Sequence, residues 1–226
     1  MTRLMRAQRP EQKEVRRQMI MEGAARLFAT CPYQDLHIAT LARLLGLAKG
    51  TLYLYFPTKE ALFMAVLKEE MDAWFKGAAE RLQGTPPGTA PALVAKGLVR
   101  EMLNRPLLPG LQALVHGVLE RNTPPAEAKA FAMFLQEGVD RVGTLLEQAV
   151  PGLGRGGGGE FLLRFYGLVI GIRLMSSRPP AVREALQDSS LALFDFTFES
   201  LFRNAVVDML HGMLAQNGRP EPGADG

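Results

Sequence analysis

The chain has one cysteine, Cys31, in 226 residues. An intramolecular disulfide is excluded, as is any cysteine-rich zinc site. Histidine is nearly as scarce: His37, His116 and His211 stand far apart, with no HExxH spacing, so no metal centre is expected. Long apolar runs are missing. The most apolar window, Phe161 to Met175, is too short to cross a bilayer and holds Arg164 and Arg173. Arg3, Arg6, Arg9 and Lys13 interrupt any early apolar stretch of signal-peptide type, so a cytoplasmic protein without membrane association is expected. The glycines at 154 and 156–159 lack the Walker lysine and have no preceding strand, and they read as a flexible connection. No nucleophile–base spacing appears, so no catalytic residue and no cofactor is assigned. No period-two alternation persists and no internal repeat is found; the fold class is all-α.

Hydrophobic residues make up 47% and charged residues 22%, ordinary for a globular protein that can bury a real core. The net charge of +3 is unevenly spread. Residues 1–60 hold ten basic and five acidic side chains, whereas the remainder holds sixteen basic and eighteen acidic. A basic head on a slightly acidic body suits a polyanion-binding module. Residues 1 to about 10 read as a basic arm of the kind that lies along phosphates or reaches a minor groove.

From Glu11 to Ala29 the apolar residues Val15, Met19, Ile20, Ala24, Leu27 and Phe28 share one side of a helix that Pro32 stops. The stretch His37 to Lys59, HIATLARLLGLAKGTLYLYFPTK, follows. Ile38, Leu41, Ala42 and Leu45 recur at helical spacing. Gly46 falls where a helix commonly ends in the left-handed conformation, and the chain restarts at Ala48 or Lys49. Leu52 and Phe56 turn one side of this second helix inward, leaving Lys49, Gly50, Thr51, Tyr53 and Tyr55 for its outer sides. Such a unit is a helix-turn-helix, whose second helix can enter the DNA major groove. Thr58 can cap the next helix, which extends to about Leu82 on an apolar face that includes Leu62, Val66, Met71, Trp74 and Phe75. Gly84 to Gly88 breaks the pattern as a loop. Five body helices are expected at about 90–104, 107–121, 124–149, 159–177 and 188–216, which makes about nine in all. In the last of them Leu191, Phe194, Phe198, Leu201, Ala205 and Met209 advance by threes and fours, with Phe202 and Val206 beside them. That stripe is wider than one flank of a small monomer easily covers. Gly167 and Gly171 in the preceding helix are spaced for close backbone approach.

The segment LARLLGLAKGTLYLYFPTKEALF resembles the signature of tetracycline-repressor-like (TetR family) regulators; the resemblance covers roughly Val15 to Leu67, is specific over Leu41 to Phe63 and is only architectural beyond that. His37 stands where that family often has a capping Thr, Ala48 replaces a frequent Ser, and Cys31-Pro32 occupies a turn often held by Gly. The resemblance implies a DNA-binding head over residues 1–58 and an effector-binding and dimerisation body over 59–226. It implies that Thr51, Tyr53 and Lys59 contact DNA backbone or bases, and that Lys49, Gly50 and Tyr55 belong to the recognition face. His37 and Ala39 begin the first helix of the motif, whose N-terminus would point at phosphate. It further implies a homodimer joined through Gly167, Gly171, Leu191, Phe194, Phe198, Leu201, Phe202 and Met209, reading a palindromic operator. A small-molecule effector between body helices would release DNA; Met102, His116, Phe131, Phe134, Leu135, Phe165, Tyr166 and Arg173 are the candidate lining. Methionine-rich, aromatic surroundings suit a lipophilic effector, such as a fatty-acyl compound. A ligand-responsive repressor is therefore expected. The alternatives are a nonspecific architectural DNA-binding protein and an enzyme with a borrowed helix-turn-helix head.

Overall fold

The computed structural model describes residues 10–186 and 188–217; the arm expected over residues 1 to about 10 lies outside them, save that Pro10 opens the first helix. The head consists of α1 (Pro10–Phe28), α2 (Ile38–Leu44) and α3 (Lys49–Tyr55). The body consists of α5 (Pro91–Leu103), α6 (Leu108–Leu114), α7 (Pro125–Ala149), α8 (Gly157–Ser176), α9 (Pro180–Ala185) and α10 (Phe198–Asn217). Between them runs α4 (Lys59–Gln83). Among the described residues there are ten α-helices and no strand, and no helix is long and apolar enough to cross a membrane.

The α4 helix organises the packing. Thr58 caps it as expected, its hydroxyl accepting the Ala61 N–H at 2.9 Å. Leu62, Phe63, Val66, Leu67, Met71, Trp74, Phe75, Ala78, Ala79 and Leu82 are all buried along it. It packs on α1 of the head and on α5, α6 and α7 of the body, so both halves share one continuous core. At 1.5 Å per residue its 25 residues make a rod of about 37 Å.

Four stretches differ from the expected pattern, through local hydrogen bonding, close packing or a proline. The helix expected over 107–121 keeps its α form only to Leu114. It then widens into a π-turn at Val115–Leu119 and tightens into a 3-10 turn at Glu120–Asn122, where the Thr123 hydroxyl donates back to the Leu119 carbonyl. The helix expected over 188–216 is broken. The Asp188 carboxylate accepts both the N–H and the hydroxyl of Ser190, holding Ser189–Phe194 as a 3-10 turn. α10 begins only after Thr197, whose hydroxyl accepts the Ser200 N–H while the Ser200 hydroxyl accepts the Thr197 N–H, a reciprocal cap. Pro180 opens the short extra helix α9, since proline suits a first helical position. Finally, residues 157–159 are no linker. They form the first turn of α8, and Glu147 from α7 accepts the N–H groups of Gly156 and Gly158 at 2.9 and 3.1 Å. A carboxylate there offsets the positive end of the helix dipole.

The head lacks two caps. Neither the His37 side chain before α2 nor that of Ala48 before α3 accepts a hydrogen bond from its helix, although both residues have the extended backbone of a capping residue. Ala48→Ser or His37→Thr is expected to add about 1 kcal/mol and to raise the melting temperature by roughly 2–4 °C. Thermal unfolding followed by circular dichroism checks this. An unchanged midpoint in both variants would mean that neither helix end is short of a partner.

Candidate nucleic-acid interface

The turn that aims α3 is set by Gly46, with φ of +64°. Its N–H donates to the Arg43 carbonyl, and the Leu47 N–H reaches back to Ala42 at 2.9 Å. This paired closure is the Schellman arrangement, which needs a left-handed residue at that point. On the inner side Gly23 of α1 meets Leu41 and Leu45 closely enough that a Cβ would stand 2.9 Å from a Leu45 methyl. Leu52 and Phe56 are buried, and the Arg17 guanidinium lies over the Phe56 ring at 5.0 Å.

These contacts leave one side of α3 open. Lys49, Gly50 and Tyr53 are exposed, and the Lys49 ammonium sits 5.8 Å from the centre of the Tyr53 ring. Thr51 is half-buried at the edge of this side. His37 and Ala39, at the start of α2, are exposed as well. Two expected contacts are placed differently. Tyr55 is half-buried against the core rather than on the outer side. Lys59 is half-buried, donating to the Tyr33 carbonyl with its ammonium 3.9 Å from the Tyr33 ring centre. Burial lowers its pKa against the opposing pull of Glu60. Lys59 thus fastens α4 to the turn between α1 and α2, and it shares a small cleft with His37. The Tyr33 hydroxyl donates to Glu60, and burial, reinforced by that carboxylate, raises its pKa so that it stays protonated.

Sequence reasoning passed over Leu54. It is 80% exposed, twice the figure for Tyr53 beside it. The only sequence signal for it was that Leu52 and Phe56 already define the inner side, which leaves a residue midway between them pointing out. An exposed leucine on such a helix can meet a thymine methyl.

In the body the expected effector residues fall into three places. Phe131, Phe134 and Phe165 belong to one aromatic chain. It runs from Phe131 through Phe134, Phe75, Trp74 and Phe165 to Phe202 and Phe198, with successive ring centres 5.0–6.1 Å apart. Leu135 packs beside it on α7, half-buried, and Met102 is buried on α5. His116 and Tyr166 form a second group: the imidazole lies between the Glu120 carboxylate at 3.0 Å and the Tyr166 hydroxyl at 3.2 Å. Burial, with Glu120 nearby, pushes the Tyr166 pKa up to about 12. Arg173 lies apart from both, packed over Gly110 beside Phe28 of the head. A cleft of about 600 Å³ opens in the head between α1 and the α2–α3 turn and touches none of these residues.

The expected dimer residues divide likewise. Gly167 and Gly171 are exposed with open space above each Cα, and Leu163 and Leu174 continue their stripe along α8. Phe194 is exposed, and Leu191, Phe198, Leu201 and Met209 are half-buried. Phe202 departs from the expectation. It is fully buried within the chain, between Phe165 and Phe198, and has no surface left for a partner.

Two family models match the chain. "Bacterial regulatory proteins, tetR family" covers residues 20–66, and "Tetracyclin repressor-like, C-terminal domain" covers residues 68–217. Among curated relatives, the Escherichia coli regulator RutR is 34% identical over 59 residues, 26% of this chain and 28% of that protein. The fatty acid metabolism regulator protein of Bacillus subtilis is 29% identical over 73 residues, 32% of this chain and 38% of that one. The matched stretches thus span well under half of these relatives. Among solved structures, a transcriptional regulator from Cytophaga hutchinsonii superposes with a TM-score of 0.55 at 24% identity, covering 88% of this chain and 96% of the other. Bacillus subtilis FadR in complex with stearoyl-CoA gives 0.53 at 17% identity, covering 85% and 96%. At these identities the likeness is one of fold. With the two models together covering the head and the body, the chain belongs to the TetR family of bacterial helix-turn-helix transcriptional regulators.

Proposed function

We propose that this regulator is a homodimeric repressor that reads a palindromic operator with α3 and is released by a lipophilic effector held in its body. The observation that carries the reading is the open side of α3, where Lys49, Gly50, Tyr53 and Leu54 stand together on a helix locked from behind. Lysine pairs with phosphate or guanine, the tyrosine hydroxyl fixes register on phosphate, and leucine meets a thymine methyl. The open stripe of Leu163, Gly167, Gly171 and Leu174 on α8, flanked by α10, supports a two-fold interface, since small residues between exposed leucines let a second copy of the same helix approach closely. Such an axis suits half-sites about 34 Å apart. The aromatic chain between α4, α7, α8 and α10 gives the body an apolar interior, and FadR, which shares the fold, was crystallised with stearoyl-CoA. An effector acts only by binding the DNA-free conformation better.

The test is selection of genomic fragments at physiological salt against competitor DNA, followed by anisotropy on the enriched duplex and a scrambled one. One enriched palindrome is the expected result. Tyr53→Phe is expected to weaken both duplexes about equally, by about fivefold to tenfold for one lost phosphate bond. Lys49→Ala is expected to cost more on the enriched duplex. No enrichment, with steeply salt-dependent binding to any duplex, would instead point to an architectural protein.

A further inference from the structure

Among the described residues two polar atoms are buried without a hydrogen-bond partner: the indole Nε1 of Trp74 and the side-chain oxygen Oε1 of Gln112. The two residues are 5% and 4% exposed. Native folds rarely leave such atoms unpaired, and each one calls for an explanation. Their placement offers one. Trp74 lies on α4 with its ring 5.4 Å from Phe165 of α8, and α6, which carries Gln112, packs against both α4 and α8. A donor on α4 and an acceptor on α6 are therefore buried on helices that pack against one another, yet do not bond to each other. Gln112 is also the one buried polar or charged residue among the described residues, so no buried cation accompanies it.

We infer that Trp74 and Gln112 recognise the buried end of the effector, and that this end is an uncharged group able both to accept and to donate a hydrogen bond, such as an amide or a hydroxyl on an apolar chain. The inference rests on the effector reading above. The Trp74 N–H donates to the ligand oxygen, and the Gln112 oxygen accepts the ligand N–H or O–H. A free carboxylate is disfavoured, since a desolvated charge with no partner is costly. An ester fills only half of the pairing, because it has no donor to offer Gln112.

Trp74 is the only tryptophan of the chain, and its fluorescence reports directly on this packing. Full-length protein is titrated with decanamide, methyl decanoate and decanoate, and operator release is followed in parallel by anisotropy. Decanamide is expected to bind about tenfold tighter than either of the others, the worth of one well-made buried hydrogen bond. Gln112→Leu is expected to bring decanamide and methyl decanoate to within about twofold of each other, by removing the acceptor. Gln112→Met serves if the leucine variant does not fold. Trp74→Phe, read by thermal shift, is expected to weaken both neutral probes. If the decanamide preference persists in the Gln112 variant, or decanoate binds best, the inference is overturned, while the effector reading stands provided an apolar probe still releases operator. If no apolar compound, decanoyl-CoA included, binds or releases operator, the effector reading fails and takes the inference with it.

Discussion

Gly158→Ala is expected to lower the melting temperature by roughly 6–12 °C, from a loss of about 3 kcal/mol at 2–4 °C per kcal/mol for a chain of this size. A methyl group on Gly158 would press into the Gly143 carbonyl group of α7, 2.7 Å from its carbon and 2.8 Å from the Gly143 Cα. These are backbone atoms on a helix that is itself held by the core, so no side chain can turn aside. The reverse side of the crossing is equally close: a Cβ on Gly143 would stand 2.9 Å from the Gly159 nitrogen. Helices α7 and α8 must therefore part to admit the methyl, and Glu147 then loses its reach to the Gly156 and Gly158 N–H groups. The glycines at 167 and 171 supply the contrast. Nothing lies within 4 Å of a Cβ at either position. There Gly→Ala is expected to leave the fold unharmed, or to stabilise it by up to about 1 kcal/mol through helix propensity, while weakening the proposed dimer. Calorimetry and sedimentation separate the two effects. A Gly158→Ala variant that melts within 2 °C of wild type would show that the crossing has room to spare.

Gly50→Leu is expected to raise stability slightly while lowering operator affinity by about a hundredfold, or about 2.7 kcal/mol. The position is helical, exposed and empty around its Cα. A side chain there meets nothing in the free protein and recovers the roughly 0.5–1 kcal/mol that glycine costs a helix. On DNA in the proposed docking, the same side chain would stand between α3 and the floor of the groove. It would hold Lys49, Tyr53 and Leu54 away from their partners together, and each well-made base contact is worth about 1–3 kcal/mol. Opposite signs for stability and binding distinguish steric exclusion from simple misfolding. Unchanged affinity for the selected palindrome would refute this approach of α3.

The head was legible in the sequence because its determinants are local. Gly46 needs only its neighbours to close the turn, Leu52 and Phe56 mark the inner side by spacing, and Thr58 caps a helix that begins one residue later. The errors arose where a partner distant in sequence decides. Glycines 157–159 read as slack because the helix that crosses them, at Gly143, lies at a distance in the chain. Phe202 joined the interface stripe because helical periodicity reports an apolar side without saying whose core covers it. Leu191 and Phe194 lined up with α10 by spacing, yet the Thr197–Ser200 cap separates them from it. Leu54 escaped notice because an apolar residue in a helix reads as inward by default. Of the candidate site, the exposed lysine and tyrosine of α3 were readable, whereas the tethering of Lys59 to the Tyr33 carbonyl depends on how α4 meets the head. The unpaired atoms of Trp74 and Gln112 exist only once three helices have packed.

The unbroken length of α4 makes it a lever. Its N-terminal end is fastened to the head through Lys59 and Tyr33, and its far half is buried among α5, α6 and α7. For a rod of about 37 Å, a tilt of about 5° at the body end carries the head through about 3 Å. The rise per base pair is about 3.4 Å, so in the proposed docking this small rotation would shift each recognition helix by nearly one step of the duplex. In the proposed two-fold assembly the displacements would oppose each other, and the spacing between the helices would change by almost two steps. In the proposed dimer a tilt of that size, set off at the body end of α4, would take both helices out of register with their half-sites.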